Sequence, residues 1–251
     1  MELIRRGILV HPEDLTRDWI TRTARAGINT LGLHPAGGRL AHETLQQAID
    51  MHITPRMLDL RAYAADMGVN MEYEAHVMGW LMPRRLFSRH PDWFRMDETG
   101  KRVADFNMCA SNTEALTYLA ERTALLASLT DTGARRYYFW TDDVRGYSCH
   151  CPECRVLTPS DQQLRIVNAM LRGLRTYDST AKLCYLAYHD ALAAPQNVIP
   201  LEGVFLEYAP ISRDHHRPIS DADCPQNVEQ SAPLMGLLEY FGSENARVLD
   251  Y

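Results

Sequence analysis

The sequence has neither a long apolar run nor an excess of basic residues. Nowhere do 18 apolar residues follow one another, and the first stretch, MELIRRGILVHPED, contains only a four-residue apolar run, too short for a secretion signal. The net charge of −6 at pH 7 argues against nucleic-acid binding, which needs clustered Lys and Arg. These absences predict a cytoplasmic protein that contacts no membrane and no nucleic acid and whose partner is a small molecule.

The motifs of three common enzyme classes are also absent. The sequence contains no G-x-S-x-G nucleophile elbow, no G-x-G-x-x-G turn after a strand and no P-loop. Serine-hydrolase, dinucleotide and nucleoside-triphosphate chemistry therefore have no motif support, and we predict no organic cofactor.

Short β-branched or aromatic runs alternate with segments of helical periodicity, a pattern typical of repeated βα units and a parallel sheet. With 46% apolar residues in 251, the chain can build one large core, and we predict a single TIM-type (β/α)8 barrel over residues 1–251. The predicted strands are 7–10, 30–33, 70–75, 136–140, 182–188, 204–208 and 247–251. An eighth strand is not visible, so we expect an incomplete barrel, with a homo-oligomer or a missing C-terminal segment covering the open edge.

Helix signals and two unusual loops complete the outline. The predicted helices 15–26 and 55–67 each end at a glycine, and capping-box patterns at 111–114 and 160–163 predict two further helix starts. The connection at about 76–111 is long enough to resemble an insertion, and residues 144–160 form a cysteine-rich loop. Long ordered loops are more often functional than idle.

Polar residues follow almost every predicted strand. Ligands of parallel α/β folds bind at the carboxyl ends of the strands, so the catalytic candidates are Asp142 and Asp143 after the fourth strand, with Glu74 and Glu207 on the third and sixth. Two close carboxylates repel, which leaves one as an acid beside one anion and suits glycosidic cleavage. The alternatives are a helix cap or loop contact for the aspartates, and a buried contact with Arg or Tyr for the glutamates.

Further residues near the strand ends are predicted to contact the substrate. They are His34, His76, Trp80, Trp140, Tyr188, His189, Tyr208 and Arg213. The loop around Trp80 also contains Trp93 and several arginines, so it could bind an acidic or N-acylated sugar. Alternatively, this loop packs a small aromatic core of its own.

A cysteine cluster directly follows the two aspartates. Cys149, Cys151 and Cys154 form a C-x-C-x-x-C pattern, short enough for three thiolates to reach one tetrahedral ion. The fourth ligand is Cys109 or His150, and Cys109 is preferred because His150 lies between two ligands. We predict a structural zinc ion, the alternative being reduced thiols in a tight turn, since cysteines of a cytoplasmic protein stay reduced.

Four stretches resemble a group of bacterial glycoside-hydrolase-like (β/α)8 proteins that is loosely related to α-glucuronidases. They are EYEAHVMGWLMPRRLFSRHPDWFRMDETGKR, NMCASN, FWTDDVRGYSCHCPEC and FLEYAPISRD. The resemblance implies a glycosidase barrel that continues past the predicted seventh strand into a last βα unit, and it supports Cys109 as the fourth thiolate. FWTDDV is also similar to the tandem acidic motif of β-N-acetylglucosaminidases that use the acetamido group of the substrate as nucleophile. By this resemblance, Asp142 orients the acetamido group and Asp143 is the general acid.

The sequence therefore predicts a glycoside hydrolase that acts on N-acetylhexosaminides or on sugars containing uronic acid. One alternative is a metal-dependent sugar isomerase or lyase, in which Glu74, His76, Asp142 and Glu207 bind a divalent ion. The other is a barrel that binds carbohydrate without catalysis.

Overall fold

Parallel strands and α-helices alternate along the chain in a computed structural model that describes residues 5–244 and 246–250. The strands, numbered in chain order, are β1 (Gly7–Val10), β2 (Thr30–Leu33), β3 (Asn70–His76), β4 (Arg136–Trp140), β5 (Lys182–Ala187), β6 (Val204–Tyr208) and β7 (Arg247–Val248). They form one sheet in which each strand pairs in parallel with the next along the chain. This arrangement confirms the predicted α/β barrel class.

The strand predictions are close to the observed bounds. Four strands match at both ends, β3 continues one residue further to His76, and β5 stops at Ala187, one residue short. The strand predicted at 247–251 is observed only as Arg247–Val248, and its last residue lies outside the described part of the chain.

Helices connect the strands and cover the outside of the sheet. They are α1 (Arg17–Arg25), α2 (Ala41–His52), α3 (Pro55–Asp66), α4 (Met78–Leu81), α5 (Thr113–Leu129), α6 (Pro159–Tyr177), α7 (Pro225–Ser231) and α8 (Leu234–Phe241). None of those in residues 5–244 combines the length and the apolar composition that a membrane crossing needs.

The capping box predicted at 160–163 is wrong by two residues. The N-cap of α6 is Thr158, whose side chain accepts from the backbone of Asp161 while the Asp161 carboxylate accepts from Thr158. Pro159 between them suits the first helical turn, where no backbone donor is needed. Ser160 instead donates to the carbonyl of Ala193. Similarly, α5 is capped by Asn112, one residue after the predicted cap.

The sheet is curled so that β7 approaches β3. Arg247 on β7 donates to Glu72 Oε1 at 3.2 Å and to both carboxylate oxygens of Glu74 at 2.8 Å. Neighbouring strands are spaced by about 4.8 Å, so a side chain cannot reach a strand four positions away in a flat sheet. The seven strands therefore enclose a half-barrel, with an inner cluster that includes Tyr138 and Phe205.

The connection between β3 and α5 shares the core of the outer layer. It contains α4 and two short 3-10 helices, Arg84–Ser88 and Pro91–Trp93, and it packs onto the outer layer of the barrel. Trp80 and Trp93 are both buried in this layer. The connection is thus an ordered structure that ends close to the carboxyl end of β4.

Candidate active site

Aromatic and titratable side chains from four strand ends meet at one end of the half-barrel. The Trp140 ring at the end of β4 lies 5.5 Å from the ring of His34 and 5.1 Å from that of His76. Asp143 follows β4 and accepts a hydrogen bond of 2.8 Å from the hydroxyl of Tyr188, which follows β5. The prediction that strand ends supply the site is based on this parallel geometry.

Asp143 is the more accessible of the two adjacent aspartates. Its side chain is 36% exposed, and His189 Nε2 lies 3.5 Å from its Oδ1. Arg145 donates to His189 Nδ1 at 2.8 Å, so this imidazole carries its proton on Nε2, on the side of Asp143. Burial, followed by the positive charge of Arg145, lowers the pKa of His189. Asp143 therefore faces two hydrogen-bonding groups and still reaches solvent.

Asp142 has a different environment. Its side chain is 5% exposed, and its Oδ2 accepts from Arg84 at 2.7 Å and from the backbone N–H of Asn107 at 2.6 Å. The Asp142 backbone donates in turn to Asn107 Oδ1 at 3.0 Å. Among the described residues, none donates to Asp142 Oδ1. One oxygen thus fixes the β3–α5 connection, while the other keeps its acceptor capacity.

A small, open cleft with a cavity volume of about 50 Å³ lies beside this aspartate. The β4–α6 loop, the start of α6 and the residues after β5 form its walls. Its polar lining includes Thr141, Asp142, Gln163, Tyr188, His189 and Asp190. The cleft therefore borders the loop that contains both aspartates, and it also borders the residues that contact Asp143.

Glu74 and Glu207 lie below this end, inside the half-barrel. Both side chains are fully buried and share the guanidinium of Arg247, whose Nε is 3.4 Å from Glu207 Oε1. Burial raises the pKa of Glu74 to about 8 and also raises that of Glu207, against the attraction of Arg247. Glu207 Oε2 accepts from Trp140 Nε1 at 2.7 Å, so this buried group holds the indole above it.

Three of the predicted substrate-binding residues have partners elsewhere. Trp80 Nε1 donates to Gln46 Oε1 at 2.8 Å within the helical layer. Tyr208 is buried and its hydroxyl donates to the carbonyl of Gln230 at 2.6 Å. Arg213 forms a two-point ion pair with Asp250. The structure brings His34, His76, Trp140, Tyr188 and His189 together with Asp143, but not these three.

Two residues beside the site were not among the predicted ones. His11 follows β1, and its ring lies 6.0 Å from that of His34. Gly37 follows β2, and a Cβ atom there would lie 3.6 Å from Asp143 Oδ2 and 3.1 Å from His76 Cδ2. The sequence contained a signal for His11, which is the first polar residue after a predicted strand, but none for Gly37.

The four predicted cysteine ligands form one buried cluster. The ligand atoms of Cys109, Cys149, Cys151 and Cys154 all lie within 4.8 Å of one another, and Cys109 Sγ is 3.7 Å from that of Cys151 and 3.9 Å from that of Cys154. A tetrahedral zinc ion with Zn–S bonds of 2.3 Å needs sulfurs about 3.8 Å apart. The cluster can therefore bind a metal ion and is compatible with a structural zinc site.

Polar groups around the cluster suit thiolates. The backbone N–H of Met96 donates to Cys149 Sγ at 3.3 Å, and Arg102 approaches the same sulfur at 3.7 Å. Such donors offset part of the negative charge of a four-thiolate site. Among residues 5–244 and 246–250 this is the only group of three or more His, Cys, Asp or Glu ligands close enough to share an ion. Glu74, His76, Asp142 and Glu207 form no such group.

The chain matches known proteins at the level of family and fold. The sequence profile of the domain of unknown function DUF4838 matches residues 41–232. No curated protein sequence is significantly similar to the chain.

Among solved structures, Dispersin B is 13% identical, with a TM-score of 0.53 over 98% of this chain and 74% of that one. A family 20 catalytic module of the pneumococcal exo-β-D-N-acetylglucosaminidase StrH is 10% identical, with a TM-score of 0.47 over 81% of this chain and 59% of that one. The family 20 exo-β-N-acetylglucosaminidase of Vibrio harveyi is 15% identical, with a TM-score of 0.47 over 81% and 37%. This chain thus spans well under two thirds of the last two proteins.

The similarity to Dispersin B shows the fold, which is shared with TIM-barrel glycoside hydrolases. The profile match extends over most of the chain and includes both aspartates and all four clustered cysteines. The chain therefore belongs to the DUF4838 family.

Proposed function

We propose that the chain is a glycoside hydrolase whose general acid is Asp143 and whose substrate is an N-acetylhexosaminide. The observation that carries the proposal is the contrast between the two adjacent aspartates. Asp143 reaches solvent beside Tyr188 and His189, whereas Asp142 is fixed through one oxygen and keeps the other available. The shared glycosidase fold supports this assignment.

The reaction needs a proton at the glycosidic oxygen and a nucleophile at the anomeric carbon. Asp143 donates its proton to the leaving oxygen, which takes the electron pair of the breaking C–O bond. Asp142 Oδ1 accepts from the acetamido N–H of the substrate, which directs the acetamido carbonyl oxygen toward the anomeric carbon. This oxygen forms a new C–O bond there as the glycosidic C–O bond breaks. Water then opens the resulting ring intermediate, with the Asp143 carboxylate as base. No second protein carboxylate is needed as nucleophile.

The buried glutamates have a supporting role in this proposal. Glu207 holds the Trp140 indole by its 2.7 Å hydrogen bond, and Glu74 shares Arg247 with it. Both are fully buried, so contact with a sugar would require the barrel interior to open. We therefore assign them to positioning Trp140 and to the interior charge balance.

We further propose that the four-cysteine cluster binds one structural zinc ion. Four thiolates leave no open position for substrate or water, so the ion would hold loops in place and take no part in the reaction. Cys109 belongs to the β3–α5 connection, and the other three belong to the loop after Asp143. The ion would thus fasten the same two loops that the Asp142 carboxylate joins.

The general-acid role can be separated from other roles by changing the leaving group. Aryl N-acetylhexosaminides of both anomeric configurations should be compared as 4-methylumbelliferyl glycosides and as 2,4-dinitrophenyl glycosides, whose leaving group needs no protonation. Asp143→Asn should lose at least about 100-fold in kcat on the first type and much less on the second. Asp66→Asn, at the exposed end of α3, serves as the control and should match the unmodified chain on both. Equal losses on both types, or no loss at all, would refute the assignment.

A further inference from the structure

Three histidines lie in a row across neighbouring strand ends. His11 follows β1, His34 follows β2 and His76 ends β3. The ring centroids are 6.0 Å apart between His11 and His34 and 6.2 Å apart between His34 and His76. We refer to His11, His34 and His76 as the histidine row.

Each ring of the row uses the same nitrogen to bond the protein. The Nδ1 atoms of His11, His34 and His76 lie 2.7, 2.8 and 2.6 Å from the backbone carbonyl oxygens of His34, Glu74 and Thr141. A carbonyl oxygen can only accept, so each Nδ1 must carry the proton. In the neutral ring Nε2 is then an acceptor with a free lone pair.

The Nε2 atoms remain open to a ligand. No described residue forms a hydrogen bond with any of the three, and none is among the buried side-chain atoms without a partner. Burial lowers the pKa of His34, and the neighbouring His76 and His11 lower it further, while the hydrogen bond to the Glu74 carbonyl and the charge of Asp143 act in the opposite direction. His34 is therefore neutral at pH 7 and presents an acceptor.

Space beside the row is kept free by a residue without a side chain. A Cβ atom on Gly37 would lie 3.7 Å from His76 Nε2 and 3.6 Å from Asp143 Oδ2. The φ angle of Gly37 is −80°, which any residue can adopt, so the backbone conformation does not require glycine. The space into which the Cβ would project thus borders both His76 and the proposed acid. The Trp140 indole is almost fully buried and packs against the rings of His34 and His76, at 5.5 and 5.1 Å, so it supports the row from the protein side.

We infer that the histidine row is a subsite for the hydroxyl groups of a neutral sugar ring. Ring hydroxyls donate to the Nε2 atoms of His34 and His76, and His11 extends the row by one more acceptor. A uronate carboxylate offers no donor and would meet three lone pairs and the negative charge of Asp143. The row therefore selects neutral sugars over uronic acids. This inference rests on the proposed function and gives the physical reason why its substrate carries no carboxylate.

The protonation pattern can be tested without any substrate. Long-range ¹H–¹⁵N NMR of the chain, assigned with His11→Asn, His34→Asn, His76→Asn and His189→Asn variants, reports which ring nitrogen carries the proton. We expect protonated Nδ1 in the row and protonated Nε2 in His189, where Arg145 donates to Nδ1. A protonated Nε2 in neutral His34 or His76 would overturn the inference.

The ligand class is tested with methyl glycosides of glucose, galactose, mannose, N-acetylglucosamine and glucuronic acid in the same NMR experiment. At least one neutral sugar should shift the Nε2 signals of His34 or His76, and glucuronate should bind more weakly than glucose. A deoxy analogue that lacks the recognised hydroxyl should bind about three- to tenfold more weakly, and this difference should vanish in the corresponding His→Ala variant. A purely structural histidine would leave the difference unchanged.

Three results would contradict the subsite. They are absence of binding by every neutral sugar, tighter binding of glucuronate than of glucose, and a second metal ion per chain that is lost in His34→Asn while the cysteine cluster keeps its own. These measurements follow binding and not turnover. Sugar binding at the histidine row can therefore be confirmed even if the Asp143 experiment refutes the general-acid role, and the general-acid role can be confirmed even if the row binds no sugar.

Discussion

Arg84 Nη2 lies 2.7 Å from Oδ2 of Asp142, and this ion pair joins the β3–α5 connection to the end of β4. The carboxylate is almost fully buried and also accepts from the Asn107 backbone. Asp142 therefore holds the β3–α5 connection in place one residue before Asp143. The Arg84–Asp142 ion pair thereby limits the directions in which the proposed acid can point.

Removing the cation should destabilise the chain. Arg84→Met leaves the Asp142 carboxylate buried with a single backbone donor, and we expect a loss of about 3 kcal/mol in the free energy of unfolding. Urea denaturation of the variant measures this loss. Arg85→Met, which changes an exposed neighbour, is the matched control and should alter the free energy of unfolding by less than about 0.5 kcal/mol. A similar value for both variants would show that the pair does not stabilise the connection.

Loss of the cysteine cluster should release metal and loosen the same loops. Cys109→Ser should lower the metal content from one zinc per chain toward zero and lower Tm, because three thiolates bind the ion less tightly and the two loops lose their shared anchor. Elemental analysis and a thermal melt give both values.

Cys224→Ser is the control for this experiment. Cys224 is also buried but caps α7 outside the cluster, and serine is a favourable residue at a helix N-cap. Metal content and Tm should therefore stay near those of the unmodified chain. Equal metal content in Cys109→Ser and Cys224→Ser would rule out the four-thiolate site.

Filling the space beside His76 should weaken substrate binding more than it weakens the fold. The added methyl group of Gly37→Ala would approach His76 Cδ2 to 3.1 Å and Asp143 Oδ2 to 3.6 Å, and the backbone angle there suits alanine. We expect KM to rise about fivefold or more, with Tm changed little. Gly236→Ala in α8, where the added atom meets nothing within 4 Å, should leave KM unchanged. An unchanged KM in Gly37→Ala would mean that the ligand lies elsewhere.

The strand positions could be predicted from the sequence because each strand is a short apolar or aromatic run between turn residues. The alternation of sides along β3 also follows from sequence, since Glu72, Glu74 and His76 are two residues apart and point to the same face. How deeply these three side chains are buried does not follow from the sequence. Glu74 is buried because Arg247, 173 residues later, reaches across the half-barrel to meet it.

The different environments of the two aspartates could not be predicted for the same reason. Asp142 and Asp143 are adjacent, and a strand end permits either to face the site. Arg84 and Asn107 bind the Asp142 carboxylate, which leaves Asp143 as the accessible one. Both residues belong to the β3–α5 connection, whose path no local sequence pattern specifies. By contrast, the close spacing of Cys149, Cys151 and Cys154 brings these three thiols within reach of one ion, so this part of the cluster could be predicted from sequence. Cys109 is distant in the chain, and its preference over His150 was supported by the family resemblance.

The buried carboxyl of Glu74 should make the stability of the chain depend on pH. Burial, followed by the charges of Glu207 and Glu72, raises its pKa to about 8 against the opposing pull of Arg247, whereas its ordinary value is 4.5. Between these values the folded chain keeps a proton that the unfolded chain has released. The stabilisation from this proton is complete below about pH 4.5 and is lost as the pH rises through 8.

Glu74→Gln cannot titrate and still offers an acceptor to Arg247, so the variant should gain stability relative to the unmodified chain as the pH rises from 5 to 8.5. Urea denaturation at several pH values measures this difference, and Glu121→Gln on the exposed side of α5 is the control that should show none. A difference that stays constant with pH, or that changes in the opposite direction, would mean that Glu74 is ionised in the folded chain throughout this range.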